Sequence, residues 1–142
     1  MTIKATKTCS NCGQNSHMTA AQTVVEGALR WYESYLCRFC GAAQEIDGTG
    51  FPPDDIRDSL LKAEGRWEIR LLQQEINKVA AMKVLRTTLD LSLLEAKQIL
   101  GLPLSKPFFY GTRTEMLWLK RCLEYADIQA EIQPADDFSG SE

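Results

Sequence analysis

The sequence predicts an α+β protein, with a cysteine-bearing β-hairpin at the front, a short helix next, and a β-α-α-β-α-β run to finish. Three observations predict it. Cys9, Cys12, Cys37 and Cys40 form two Cys-x-x-Cys pairs. Between them, β-branched and aromatic residues flank the turn candidate Glu26-Gly27. From Arg66 onward the apolar spacing alternates between a period of two and one of three to four, the marks of strands and helices.

The hairpin is expected from Thr23-Val24-Val25 on one side and Ala28 to Leu36, with Trp31, Tyr32 and Tyr35, on the other. Such residues suit a half-buried pleated surface. Asp47-Gly48-Thr49-Gly50-Phe51-Pro52-Pro53 is dense in turn formers and marks the end of that unit. A short helix is expected next, with Pro53 in its first turn and Asp54 and Asp55 at the positive end of its dipole. Lys62 stands toward the other end, Gly65 is the cap, and Ile56, Leu60 and Ala63 form the buried stripe.

Trp67-Glu68-Ile69-Arg70-Leu71 alternates and reads as a strand. A helix over about Glu75 to Thr87 places Ala80, Ala81, Val84 and Leu85 on one face, which predicts a core stripe. Ser92 followed three residues on by Glu95 is a capping-box pair, with Leu91 and Ala96 in the staple positions, and that helix ends near Gly101. Phe108-Phe109-Tyr110 reads as a short strand after the extended bias imposed by Pro107. Thr112 and Glu115 repeat the capping box for a helix to about Tyr125, with Met116, Leu119, Leu123 and Ala126 inward, and Ile128 to Ile132 alternates as a closing strand.

Charge and composition narrow the function classes. The 142 residues carry a formal charge of -3, which gives no global attraction to nucleic acid or anionic lipid. Residues 66–133 hold ten Lys/Arg against eight Asp/Glu, whereas 134–142 hold three acids and no base, an expected acidic tail. No stretch approaches the roughly 20 apolar residues that span a bilayer, and the start lacks an apolar signal core, so a cytoplasmic protein without a membrane partner is expected. The chain has one histidine, no Gly-rich phosphate loop and no nucleophile with an evident base, so neither an enzyme nor a small-molecule substrate is expected. Cys122 falls among apolar residues in a helical pattern and is expected as a small core side chain.

The chemistry concentrates in Cys9-Ser-Asn-Cys12-Gly13 and Cys37-Arg-Phe-Cys40-Gly41. A Cys-x-x-Cys turn puts two sulfurs on one side of a tight knuckle, and two knuckles supply the four thiolates that zinc prefers. Each glycine can take the positive φ that turns the knuckle amides toward sulfur. The pattern over roughly residues 7–44 resembles the zinc-ribbon family, although 24 residues between Cys12 and Cys37 exceed the usual spacing. One structural zinc ion is expected, a redox dithiol or an iron-bearing site being the alternatives. Four cysteines close the shell against catalysis, and His17, five residues beyond Cys12, is expected as a solvated loop residue. Zinc ribbons often bind nucleic acid, and Arg30, Trp31, Tyr32, Tyr35, Arg38 and Phe39 would be the residues to stack on bases and contact phosphate. Residues 1–50, however, balance four bases against four acids, where a phosphate-binding surface is normally basic.

Asn77-Lys78-Val79-Ala80-Ala81-Met82-Lys83-Val84-Leu85-Arg86, with Leu91-Ser92-Leu93-Leu94-Glu95-Ala96-Lys97, resembles the C-terminal domain of the bacterial ribosomal stalk protein. The likeness extends in element order from about Trp67 to Ile132 and implies a three-stranded antiparallel sheet covered by three helices. In that family the exposed side of the first helix recruits translation factors, and the matching positions are Lys78, Val79, Met82, Lys83 and Arg86, with Lys97 on the next helix. Helical spacing independently sets Val79, Met82, Lys83 and Arg86 opposite the core stripe, an apolar strip edged by cations. The chain departs from the family in having Asp90 and Ser92 where hinge glycines are expected, and in carrying a ribbon at all.

The expected organisation is therefore a zinc ribbon over 1–50, a linker helix over 51–65, a stalk-like α/β domain over 66–133 and an acidic tail over 134–142. The expected function is non-catalytic binding of a protein partner through the stalk-like domain, of the kind served by a bacterial immunity or antitoxin protein. The alternative is a ribosome- or nucleic-acid-associated zinc-ribbon factor.

Overall fold

The computed structural model describes residues 2–73 and 75–135. Of the expected tail, Asp136 to Glu142 lie outside the described residues. The chain divides into two compact units, Met1–Gly65 and Arg66–Glu142.

The first unit is a four-stranded antiparallel meander, β1 (Thr2–Thr8), β2 (Asn15–Val25), β3 (Ala28–Leu36) and β4 (Ala43–Thr49), followed by α1 (Asp54–Glu64). The expected hairpin is its centre, but β2 starts eight residues before Thr23, and strands are added on both sides. The two-residue turn Glu26-Gly27 has positive φ at both positions, the geometry that matches strand twist. Period-two alternation sends Ser16, Met18, Ala20 and Gln22 of β2 to the buried face. Leu29, Glu33 and Tyr35 of β3 are buried on that same face, which the register with β2 fixes. Ile3 of β1 pairs with Ala20 on it. Helix α1 packs on β1 and β2 through Ile56 and Leu60. Ala63, expected in its stripe, is instead exposed, because two turns suffice to cover the patch. Pro53 is the N-cap rather than a first-turn residue, and the Gly65 amide donates to the Leu61 carbonyl, closing the C-terminus.

The core of this unit joins Ile3, Met18, Ala20, Tyr35, Ile56 and Leu60 directly to the side chains of Cys9 and Cys37. Within it Glu33 is buried, its carboxylate 2.9 Å from the Lys7 ammonium. An unpaired interior carboxylate would cost several kcal/mol, on the order of the penalty for any buried lone ion. The pair therefore ties β1 to β3 across β2.

The second unit holds β5 (Trp67–Leu71), α2 (Lys78–Leu89), α3 (Leu93–Leu100), β6 (Phe109–Gly111), α4 (Arg113–Tyr125) and β7 (Ala130–Pro134), with strand order β6-β5-β7, antiparallel throughout. Helix α2 begins three residues later than expected because Asn77 caps it, its side chain accepting from the Ala80 amide at 3.1 Å. Ala81 and Leu85 are its buried residues, Ala80 and Val84 being only half-buried. Asp90 ends α2 in the left-handed region (φ 55) where glycine is the usual choice. Both capping boxes form, Ser92 with Glu95 and Thr112 with Glu115. Helix α4 lies on the sheet, packing on β5, β6 and β7. Its Met116, Leu119 and Leu123 are buried and Ala126 is half-buried. Cys122 is half-buried, and that partial burial raises its thiol above the ordinary value. Among the described residues no helix is long and apolar enough to cross a membrane.

Candidate metal centre and helix groove

A meander of four antiparallel strands sends its first and third connections out of the same end. Cys9 and Cys12 lie in the β1–β2 connection, Cys37 and Cys40 in the β3–β4 connection, and the fold therefore brings the two pairs together. The two knuckles are copies of one another. The Cys9 amide donates to the Gln14 carbonyl at 2.8 Å and the Gly13 amide to the Cys9 carbonyl at 2.9 Å. In the second knuckle the Cys37 amide donates to the Ala42 carbonyl at 2.8 Å and the Gly41 amide to the Cys37 carbonyl at 2.9 Å. Gly13 (φ 78) and Gly41 (φ 80) hold the left-handed conformation that the expected knuckle requires.

All four sulfurs lie within 4.8 Å of one another. Cys9 and Cys40 are 3.7 Å apart and Cys12 and Cys37 3.5 Å. A disulfide needs about 2.05 Å, so these thiols are free. Four thiolates bound tetrahedrally at about 2.3 Å would stand about 3.8 Å from each other, close to what is seen. The cluster can hold one metal ion.

The protein already separates the charges of these thiols. The amides of Cys12 and Asn11 hold Cys9 below its ordinary value against the effect of burial. Burial acts to raise Cys37, but the amides of Cys40 and Phe39, with Cys12 and Tyr35, outweigh it and bring the thiol down to about 6. The Gln14 amide favours a Cys12 thiolate, yet desolvation and the neighbouring sulfurs of Cys37, Cys40 and Cys9 together push it up to about 12. Four adjacent sulfurs resist becoming four anions until a cation arrives.

Burial divides the cluster into two inner and two outer sulfurs. Cys9 and Cys37, the first of each knuckle, are buried, whereas Cys12 and Cys40 are exposed. Two supporting residues were not singled out from the sequence. The Asn11 amide group donates to the Cys40 sulfur across the knuckles at 3.5 Å. Ser16 is buried, its hydroxyl donating to the Leu36 carbonyl at 3.1 Å and accepting from the Arg38 amide at 3.1 Å, which pins the start of β2 to the second knuckle. Its place in the alternation Ser16, Met18, Ala20, Gln22 was the available signal. His17 is exposed, points to the opposite face of β2, and is not part of the cluster; it lies in a strand, not in the expected loop.

The six residues weighed for stacking do not share one surface. Trp31 and Tyr35 belong to the inner face of β3. Arg30 and Tyr32 belong to the outer face, where Arg30 is salt-bridged to Asp47 at 3.0 Å and lies 5.9 Å from the Tyr32 ring centre. Arg38 and Phe39 stand at the knuckle, 5.3 Å from guanidinium to ring centre.

In the second unit, a groove of about 480 Å³ runs between the exposed side of α2 and the start of α3, lined by Val79, Met82, Lys83, Arg86, Leu91 and Leu93 among others. Of these, Val79 is 79% exposed and Leu93 47%. Arg86 is steadied by donating from Nε to the Leu91 carbonyl at 3.3 Å. Lys78 and Lys97 are exposed but do not line the groove. No family model, curated protein or solved structure matches the chain.

Proposed function

We propose that this is a non-catalytic zinc-binding protein that captures an acidic protein partner on the α2 face of its second unit, acting as an inhibitor of the immunity or antitoxin type. The observation that carries the reading is the groove itself. Val79, Met82, Leu91 and Leu93 are apolar and accessible, and Lys83 and Arg86 edge them. An exposed apolar strip rimmed by cations favours a partner that brings an apolar anchor flanked by carboxylates. The resemblance to the ribosomal stalk domain puts recognition on the same residues, and inhibition by occlusion needs only such a complementary surface.

Zinc is the ion that fits best. Four cysteine sulfurs at these separations match a closed tetrahedral site, which has no vacant position for substrate or water and so serves structure. The amides aimed at Cys9 and Cys37 are the support that a tetrathiolate needs.

The test is a photo-crosslinking residue placed at position 79, with position 39 at the knuckle as a control, followed by identification of the captured partner and of the peptide joined. The reading predicts a crosslink from position 79 to an acidic segment, and weakened binding of that purified partner by Met82→Glu with Lys83→Glu. Crosslinking only from position 39, or a nucleic-acid partner whose affinity drops steeply with salt, would replace it with the ribbon-based alternative.

A further inference from the structure

The inner and outer sulfurs of the cluster face different surroundings, and the inner pair has a buried side-chain donor beside it. Cys12 and Cys40 are exposed, so water and Asn11 can share their charge. Cys9 and Cys37 are 3% and 1% exposed and have no such access. A zinc ion with four thiolates carries a net charge of -2, and interior charge needs hydrogen-bond donors.

Tyr35 is placed to be that donor. It sits on β3 two residues before Cys37, on the buried face, and lines the same cavity as Lys7 and Cys9. The residue is 6% exposed, and its hydroxyl makes no formed hydrogen bond among the described residues, although it lies near enough to the Cys9 and Cys37 sulfurs to favour their thiolates. A buried hydroxyl left unpaired costs about 1–3 kcal/mol and calls for a reason. Lys7, held by Glu33, stands 5.9 Å from the centre of the Tyr35 ring, and the ring is packed within the same core cluster as both inner cysteines. Its neighbours keep the tyrosine in place and offer its hydroxyl no partner other than the inner sulfurs.

We infer that the Tyr35 hydroxyl donates to the inner sulfurs, Cys9 and Cys37, of the loaded site and thereby sets how tightly the ion is held. Tyr35 is a positioning residue: it touches no ion and acts through the ligands. This rests on the zinc reading above, so the experiment first measures the zinc content of the wild-type protein. A metal-free native protein refutes that reading independently of Tyr35.

Given one zinc per chain, Tyr35→Phe keeps the ring and removes only the donor. The expected result is a loss of about 10–100-fold in zinc affinity by chelator competition, the range typical of lost support around ligands. In the cobalt-loaded variant, the thiolate-to-metal absorption should shift, because sulfurs relieved of a hydrogen bond donate charge more readily. Replacing Tyr35 by 4-aminophenylalanine, which restores a donor at the ring's end, should recover most of the affinity. A Tyr35→Phe protein with wild-type affinity and an unchanged cobalt spectrum overturns the inference. If that variant fails to fold, NMR of the cadmium-loaded wild type decides. The Tyr35 hydroxyl proton should be protected and coupled to the metal through sulfur, and a freely exchanging, uncoupled proton overturns the inference equally.

Discussion

Stripping the proposed zinc ion from the reduced protein with a strong chelator at neutral pH should unfold the first unit and leave the second one folded. The large aliphatic side chains in the cluster around Cys9 and Cys37 are Ile3, Met18, Ile56 and Leu60. Full burial of each is worth about 1.5–3 kcal/mol, or roughly 6–12 kcal/mol together. A structural zinc ion contributes about 10–16 kcal/mol at pH 7, as much as that whole apolar group. Net stabilities of domains are only about 5–15 kcal/mol, so losing the ion removes an amount comparable to everything the unit has in reserve. The second unit has a core of its own in Ile69, Leu85, Met116, Leu119, Leu123 and Ile128, remote in sequence from any cysteine pair. The assay is the amide NMR spectrum before and after chelation. Peaks from Thr2 to Gly65 should collapse toward unfolded positions, those from Trp67 to Pro134 should persist, and added zinc should restore the first set. A stripped protein that keeps both sets dispersed would refute the claim that the ion organises the first unit.

Gly48 lies opposite Trp31, and a Cβ there would come within 2.6 Å of the indole nitrogen. Gly48→Ala should therefore destabilise the first unit by about 1–3 kcal/mol in urea unfolding, since the indole must move out of its place. The Thr112 cap is buried and the Ser92 cap exposed, so Thr112→Ala should cost about 2 kcal/mol and Ser92→Ala about 0.5–1 kcal/mol, read from the same kind of transition. The Ser92 amide, and then its hydroxyl, hold the Glu95 carboxyl below its usual 4.5. A lowered value in the folded state means that this contribution to stability is present above the unfolded value and is lost as pH falls through the folded one. An NMR titration should find Glu95 below 4.5 in the wild type and closer to it in Ser92→Ala.

The second half was legible in the sequence because its signals are dense. Two Ser/Thr–Glu capping pairs fix where α3 and α4 begin, and Ile69, Leu71, Met116, Leu119 and Leu123 repeat with the period of their element. The boundaries that moved did so for local reasons: Asn77 at the start of α2, and ladder pairing that carries β7 to Pro134. The front was half legible. Cys-x-x-Cys-Gly announces a knuckle wherever it occurs, since the geometry is local. Strands β1 and β4 went unread because they are edge strands: TIKATKT and AQEIDGT have one large apolar residue each, and pairing, not composition, makes them strands. The inner half of β2 was missed because Ala20 is small and Gln22 polar although both are fully buried. Asn11 reaches the Cys40 sulfur across the two knuckles, a distance between segments that no residue spacing encodes.

The Glu26-Gly27 turn stands at the end of the sheet away from the cysteines, midway between the two knuckles. A cut there would leave two fragments, each owning one pair of sulfurs and neither able to saturate an ion alone. On the zinc reading proposed above, their reunion would depend on the free ion, which would then work as a detachable fastener between separate polypeptides. The fraction rejoined would be a readout of how much of that ion its surroundings supply.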